Sequence, residues 1–320
     1  MLVLVAPGQG AQAPGFLSPW LDVPGVAERL ARWSAVADLD LVHYGTEADA
    51  DAIRDTAVAQ PLLVASGMAA AFALFPAAED FGALGAVAGH SVGELTAAAL
   101  AGVLTADDAM ALVAERGRAM ASAAAVTDTS MTAVLGGDVD VVLAKIAEHG
   151  LTAANNNSAG QIVAAGTVEQ LAAFQADPPA GSRLRPLSVA GAFHTVHMAP
   201  AVERLAEVAA GLDAADPRVR LLSNRDGATV GTGREAVDRI VSQIANPVRW
   251  DLCLETMAAL GVTGFLEVPP AGTLTGIAKR ALKGVETFAL KTPDQLEAAR
   301  EFVAKHAEPA GDAFEWKDSH

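Results

Sequence analysis

A glycine-flanked serine, Gly89-His90-Ser91-Val92-Gly93, stands between an apolar run from Leu84 to Ala88 and a strong helix former from Glu94 to Leu100. This feature restricts the possible folds most. A G-x-S-x-G segment at a strand-to-helix junction makes a sharp turn that pushes the serine into solvent. Its glycines let the backbone pack on both sides. A second apolar run, Met1 to Ala6, closes on Pro7-Gly8 and leads into the glycine- and amide-rich loop Gly8-Gln9-Gly10-Ala11-Gln12. Short, uniformly apolar strands of this kind belong to parallel sheets covered on both faces.

The rest of the chain fits an α/β class. Asp107 to Ala123 carries Met110, Val113 and Met120 at helical spacing, with Thr105 as its N-cap. Thr56 to Ala78 has no charged side chain and is long enough to span a bilayer. Gln60, Pro61, Ser66, Gly67, Pro76 and the many alanines argue instead for a buried helix starting near Pro61. After Val126 the pattern changes. Strands are predicted at Met131–Leu135, Gln161–Ala165 and Ser182–Val189, with helices at Asp138–His149 and Thr167–Gln175. That order predicts a small inserted β-α-β-α-β unit. The expected architecture is an α/β-hydrolase-like core with a parallel sheet, plus an inserted ferredoxin-like α+β subdomain. The large catalytic part takes residues 1–125 and 191–306, and the small one 126–190. The polar stretch 307–320 is expected to be a disordered tail.

Lys and Arg number 22 against 38 Asp and Glu, a formal charge of −16. That balance argues against nucleic acid or an anionic membrane as partner. Cys253 is the only cysteine, so neither a disulfide framework nor a cysteine-based metal centre is expected. The N-terminus shows no secretory pattern, and a reducing cytoplasm fits.

At the turn, Ser91 is the candidate nucleophile. Val92 N–H lies in the first turn of a helix, where amides lack partners, and can donate to an oxyanion. A hydroxyl nucleophile needs a base. His43, His149, His306 and His320 fall in segments that read as surface or tail, and His90 lies within the turn itself. His194 and His197 remain, and the residues alone do not choose between them. No carboxylate in a distinctive setting completes a Ser-His-acid triad; Asp107, Asp108 and Asp138 are ordinary.

Six segments occur in order: Gly8-Gln9-Gly10-Ala11-Gln12, Gly89-His90-Ser91-Val92-Gly93-Glu94, Arg116-Gly117-Arg118-Ala119-Met120, Asn156-Asn157-Ser158-Ala159-Gly160-Gln161, Gly191-Ala192-Phe193-His194-Thr195 and Asn246-Pro247-Val248-Arg249-Trp250. Together they resemble the malonyl-CoA:acyl carrier protein transacylases and the related acyltransferase domains of polyketide synthases, from about Val3 to Lys283. The resemblance implies Ser91 as nucleophile and His194, rather than His197, as base. It implies backbone N–H groups of Gln9 and Val92 as the oxyanion hole and Arg116 as the malonyl carboxylate ligand. It further implies that a backbone carbonyl near Gln243 orients the histidine, which accounts for the missing acid. Gln60, Asn157 and Phe193 take supporting places. In related polyketide acyltransferases a Phe before the histidine accompanies malonyl choice over methylmalonyl. Malonyl-CoA is then the substrate and a phosphopantetheinylated acyl carrier protein the partner, in fatty acid or polyketide synthesis, with no bound cofactor or metal. A cytoplasmic monomer is expected.

Carrier proteins are usually acidic, as is this chain, so a local basic patch must offset the repulsion. Lys279, Arg280 and Lys283 form the favoured cluster, and Arg183 and Arg185 a second. Two departures from the family pattern stand out. Val268-Pro269-Pro270-Ala271-Gly272 replaces a Gly-Pro-Gly segment, and His197 is unusual at its position. The alternatives are a serine thioesterase or esterase of the α/β-hydrolase type, and a discrete polyketide-pathway acyltransferase.

Overall fold

The computed structural model describes residues 1–158 and 160–307. The first sheet contains β1 (Leu2–Ala6), β2 (Ala86–Gly89), β7 (Arg220–Leu221), β9 (Gly264–Glu267) and β10 (Glu286–Ala289). Its order is β10-β9-β1-β2-β7 and every pairing is parallel. β1, β2 and β9 are buried along their whole length. This is the expected parallel sheet, and its uniformly apolar strands reflect cover on both faces.

The second sheet contains β3 (Thr129–Gly136), β4 (Thr152–Asn156), β5 (Gln161–Thr167), β6 (Ser182–Pro186) and β8 (Val248–Arg249), in the order β6-β3-β5-β4-β8. Helices Val139–Glu148 and Val168–Ala176 follow β3 and β5. The insert therefore runs β-α-β-β-α-β, the ferredoxin-like order, rather than the five-element order expected. The strand missed was β4, whose sequence Thr152-Ala153-Ala154-Asn155-Asn156 carries little β propensity and is held by pairing on both sides. β8 comes from outside the insert and pairs in parallel with β4, so a later part of the chain completes the second sheet. Alternation along the strands divides the cores. Met131, Ala133, Val163 and Ala165 join the large core, whereas Val134, Ile162 and Ala164 pack with Val142, Ile146, Leu171 and Phe174 under the insert's own helices.

Three local expectations need correction. The apolar helix runs Thr56–Leu74, so it begins before Pro61. Asp55 caps it by accepting from Ala57 N–H, so the cap outweighs the proline as a start signal. The helix is long and apolar enough to cross a membrane, but it is largely buried inside the protein. β6 stops at Pro186 instead of Val189, with one further ladder bond from Leu187 N–H to Met131 O. His306 is 6% exposed rather than on the surface, with Nδ1 bonded to Thr263 Oγ1. Of the tail 307–320, only Ala307 falls within the described residues.

Candidate active site

Parallel pairing of β1 with β2 aligns Ala6 with Gly89. The loops leaving both strands, with Gln9 on one and Ser91 on the other, therefore meet at the same sheet edge. The turn at Ser91 is tight. Ser91 has φ 52°, a strained value for a residue with a side chain. A Cβ on Gly89 would lie 1.9 Å from the Gly93 carbonyl carbon, and one on Gly93 would lie 2.3 Å from Ala6 O. Both glycines are thus required by close backbone approach. A cavity of about 250 Å³ opens here between the two sheets. Gln9, Ser91 and Val92 line it from the body, Met131, Asn155 and Val163 from the insert, Phe193 and His194 from a connecting loop, and Leu274 from the start of helix Thr273–Ala281.

His194 is 3% exposed and has φ 61°. Its loop is pinned by His194 N donating to Ile244 O and Thr195 Oγ1 donating to Ala192 O. Its Nδ1 lies 2.8 Å from Gln243 O. A carbonyl can only accept, so Nδ1 carries the proton and Nε2 offers its lone pair. Ser91 Oγ is 2.7 Å from that Nε2. Gln243 is the last residue of helix Gly233–Gln243, where the dipole is negative; its carbonyl, which also accepts from Asn246 N–H at 3.1 Å, has a second lone pair for the histidine. A neutral helix end thus does the orienting that a carboxylate does in other serine enzymes. Burial lowers the His194 pKa to about 3, with the charge of Arg116 adding to the shift. The imidazole is neutral at physiological pH.

Arg116 lies on helix Ala106–Ala124 and is fully buried. Its neighbour Glu115 pairs instead with Arg118 and Arg204, so Arg116 is no surface ion pair. Nη1 donates to Gln60 Oε1 at 2.6 Å and Nη2 to Gln243 Oε1 at 2.8 Å. Nη2 also reaches Ser91 Oγ at 3.4 Å, while Nε is buried without a partner. Burial lowers its pKa to about 10, so it remains charged. A buried guanidinium held by neutral amides and keeping an orphaned N–H is suited to a ligand carboxylate.

The other expected residues are distributed as follows. Val92 and Gln9 both line the cavity, and no acceptor is described for either backbone N–H. Asn157 Oδ1 accepts from His90 Nε2 at 2.8 Å, which turns His90 away from Ser91. Phe193 is 6% exposed beside His194. His197 has no described side-chain bond and its N–H donates to Thr195 Oγ1. Lys279 and Arg280 are exposed at the C-terminal turn of helix Thr273–Ala281, and Lys283 follows it. The opposite end of that helix lines the cavity through Thr273 and Leu274. Arg183 and Arg185 are exposed on β6. Among the described residues, no cluster of His, Cys, Asp or Glu has metal-binding geometry.

Two residues without an expected role sit beneath the site. Asn224 Oδ1 accepts from Ser91 N–H at 2.8 Å, and its Nδ2 donates to Gly89 O at 2.8 Å. Glu94, 4% exposed, accepts from Asn224 N–H at 2.5 Å and from Gln243 Nε2 at 2.6 Å. Asn224 follows β7, the neighbour of β2, and only that pairing brings it to the turn.

The chain matches the acyl transferase domain family over residues 3–304. It is 53% identical over 297 residues to the malonyl CoA-acyl carrier protein transacylase of Mycobacterium tuberculosis, covering 93% of this chain and 98% of that protein. The crystal structure of that organism's enzyme superposes with a TM-score of 0.91 at 52% identity, over 94% of this chain and 99% of that one. A malonyl-transacylase solved with a type II polyketide acyl carrier protein superposes with a TM-score of 0.87 at 30% identity, over 94% and 99% of the two chains. With matches of this extent, and five of the six motifs contributing residues to one cavity, the chain belongs to the malonyl-CoA:acyl carrier protein transacylases, within the acyl transferase domain family.

Proposed function

We propose that the protein transfers the malonyl group from malonyl-CoA to the phosphopantetheine thiol of an acyl carrier protein, supplying fatty acid synthesis in the cytoplasm. One observation carries the reading: Ser91 Oγ lies between the Nε2 of His194 and the buried guanidinium of Arg116. Malonyl-CoA enters with its carboxylate on Arg116. His194 Nε2 takes the Ser91 proton as Oγ attacks the thioester carbonyl. The N–H groups of Gln9 and Val92 hold the oxyanion, and the negative helix end at Gln243 O stabilises the imidazolium. The C–S bond breaks, His194 returns the proton to the departing CoA sulfur, and a malonyl ester remains on Ser91. The carrier's thiol then attacks that ester as His194 takes its proton; the ester C–O bond breaks, His194 returns the proton to Ser91 Oγ, and the malonyl thioester leaves on the carrier. All of these groups come from one chain, so a monomer suffices. Residues 1–125 and 191–306 act as the catalytic body and 126–190 as the cover of the acyl cavity. Phe193 fills space beside the acyl group, where an α-methyl would cost about 1–3 kcal/mol.

Intact mass after mixing with malonyl-CoA, then with a holo carrier protein, tests the reading. A malonyl adduct that discharges onto the carrier is expected. Free malonate without an adduct would instead identify a thioesterase. Strong preference for a polyketide carrier over a fatty-acid one would place the enzyme in that pathway.

Arg116→Ala is expected to slow malonyl loading about 100-fold, because a charge-assisted bidentate contact is lost. Acetyl-CoA brings no carboxylate and should lose far less. Equal losses for the two acyl groups would reject this role. The Lys279→Glu, Arg280→Glu double variant is expected to raise the KM for the carrier about 10-fold, as lost charge complementarity does. Loading from malonyl-CoA should stay as it is. Unchanged transfer kinetics would exclude the patch.

A further inference from the structure

The three acceptors around Gln243 Nε2 are Glu94 Oε2 at 2.6 Å, Asn224 Oδ1 at 3.1 Å and Ser91 O at 3.2 Å. They leave the amide a single orientation, with nitrogen toward Glu94 and oxygen toward Arg116. The other Glu94 oxygen accepts from Asn224 N–H, and Asn224 in turn holds Ser91 N–H and Gly89 O. N–H donors meet both oxygens, so the carboxyl acts as an acceptor on each side. Burial raises the Glu94 pKa to about 8, against the pull of the Asn224 N–H and Arg116, so it is the hydrogen-bond geometry that orients the amide. A carboxylate placed directly on Arg116 would compete with the substrate for it. Here the neutral amide of Gln243 stands between the carboxyl and the guanidinium. The guanidinium is compensated at a distance and keeps its Nε free.

We infer that Glu94 is a positioning residue for malonyl recognition. It sets the Gln243 amide so that its oxygen aims Arg116 Nη2 at Ser91 Oγ, while leaving that cation open to the substrate carboxylate. This rests on the malonyl-transfer reading above. In Glu94→Gln, the new amide can donate to Gln243 Oε1, and a flipped Gln243 then turns its NH2 group against the guanidinium.

The test compares malonyl and acetyl loading, by adduct formation on Ser91, in wild type, Glu94→Gln, Arg116→Ala and the double variant. Wild type must first form the malonyl adduct; if it does not, the transfer reading itself fails. Given that adduct, Glu94→Gln is expected to lose about 10-fold or more in malonyl kcat/KM, mostly through KM, the scale of a lost charge-assisted hydrogen bond. Acetyl loading should change less. In the Arg116→Ala background Glu94→Gln should add little. Equal loss for both acyl groups, no loss at all, or a full additional loss without Arg116 would each overturn the assignment. Should Glu94→Gln fail to fold, Gln243→Met removes the intervening amide and keeps the backbone carbonyl that orients His194. The same malonyl-selective loss is expected there, and an unselective one would overturn the proposal.

Discussion

Replacing Ser91 with alanine is expected to abolish the malonyl adduct and to lower transfer about 10⁶-fold, the scale seen when a serine nucleophile is removed. The substitution takes away Oγ and little else. The turn is held by Asn224 on the Ser91 N–H and by the mutual packing of Gly89 and Gly93. An alanine meets the same strain at φ 52° that serine already bears. The oxyanion donors and Arg116 stay in place, so malonyl-CoA should still bind. Intact mass and equilibrium binding on the same sample separate the two effects. An adduct that persists in the variant would move the nucleophile elsewhere. Loss of binding together with loss of the adduct would point to a collapsed site.

Removing the base has the next largest effect. His194→Ala is expected to slow loading about 10⁴-fold, the upper range for a single general base. Ser91 Oγ then keeps only the long contact to Arg116, which favours its oxygen but accepts no proton. The pH profile of the wild type carries a second signature. A solvated histidine titrates near 6.5 and would give up its base function below that pH. Burial and Arg116 lower the His194 pKa to about 3. The neutral form, which alone is a base, persists above that value. kcat/KM for loading reports the free enzyme, so no acidic limb attributable to His194 should appear near pH 6.5. A limb at that pH, absent from His194→Ala, would show that the imidazole is solvated and would contradict the buried geometry.

Some of this was legible along the chain. Gly89-His90-Ser91-Val92-Gly93 between an apolar run and a helix former announced the turn, because its constraints are local: two glycines, one exposed side chain, one helix start. The N-cap at Thr105 was readable for the same reason. β4 was not, since Thr152–Asn156 is a strand only by virtue of its partners β5 and β8. Pro61 misled as a start signal, since a helix within a packed core can absorb one missing N–H.

The sequence by itself determined the chemical groups: a serine at a sharp turn, a histidine loop, an arginine among apolar neighbours and no suitable acid. It left His194 and His197 level on the residues alone, and it gave Asn224 and Glu94 no role. Tertiary structure decided those matters. Parallel pairing set Gln9 beside Ser91. The end of helix Gly233–Gln243 supplied the carbonyl that chose His194. Burial turned Arg116 from an ordinary surface cation into one with an unfilled N–H. The physical reason is range. Turns, caps and periodicity are written within a few residues. Hydrogen-bond direction, desolvation and charge coupling depend on neighbours more than a hundred positions away, as with Ser91 and Asn224.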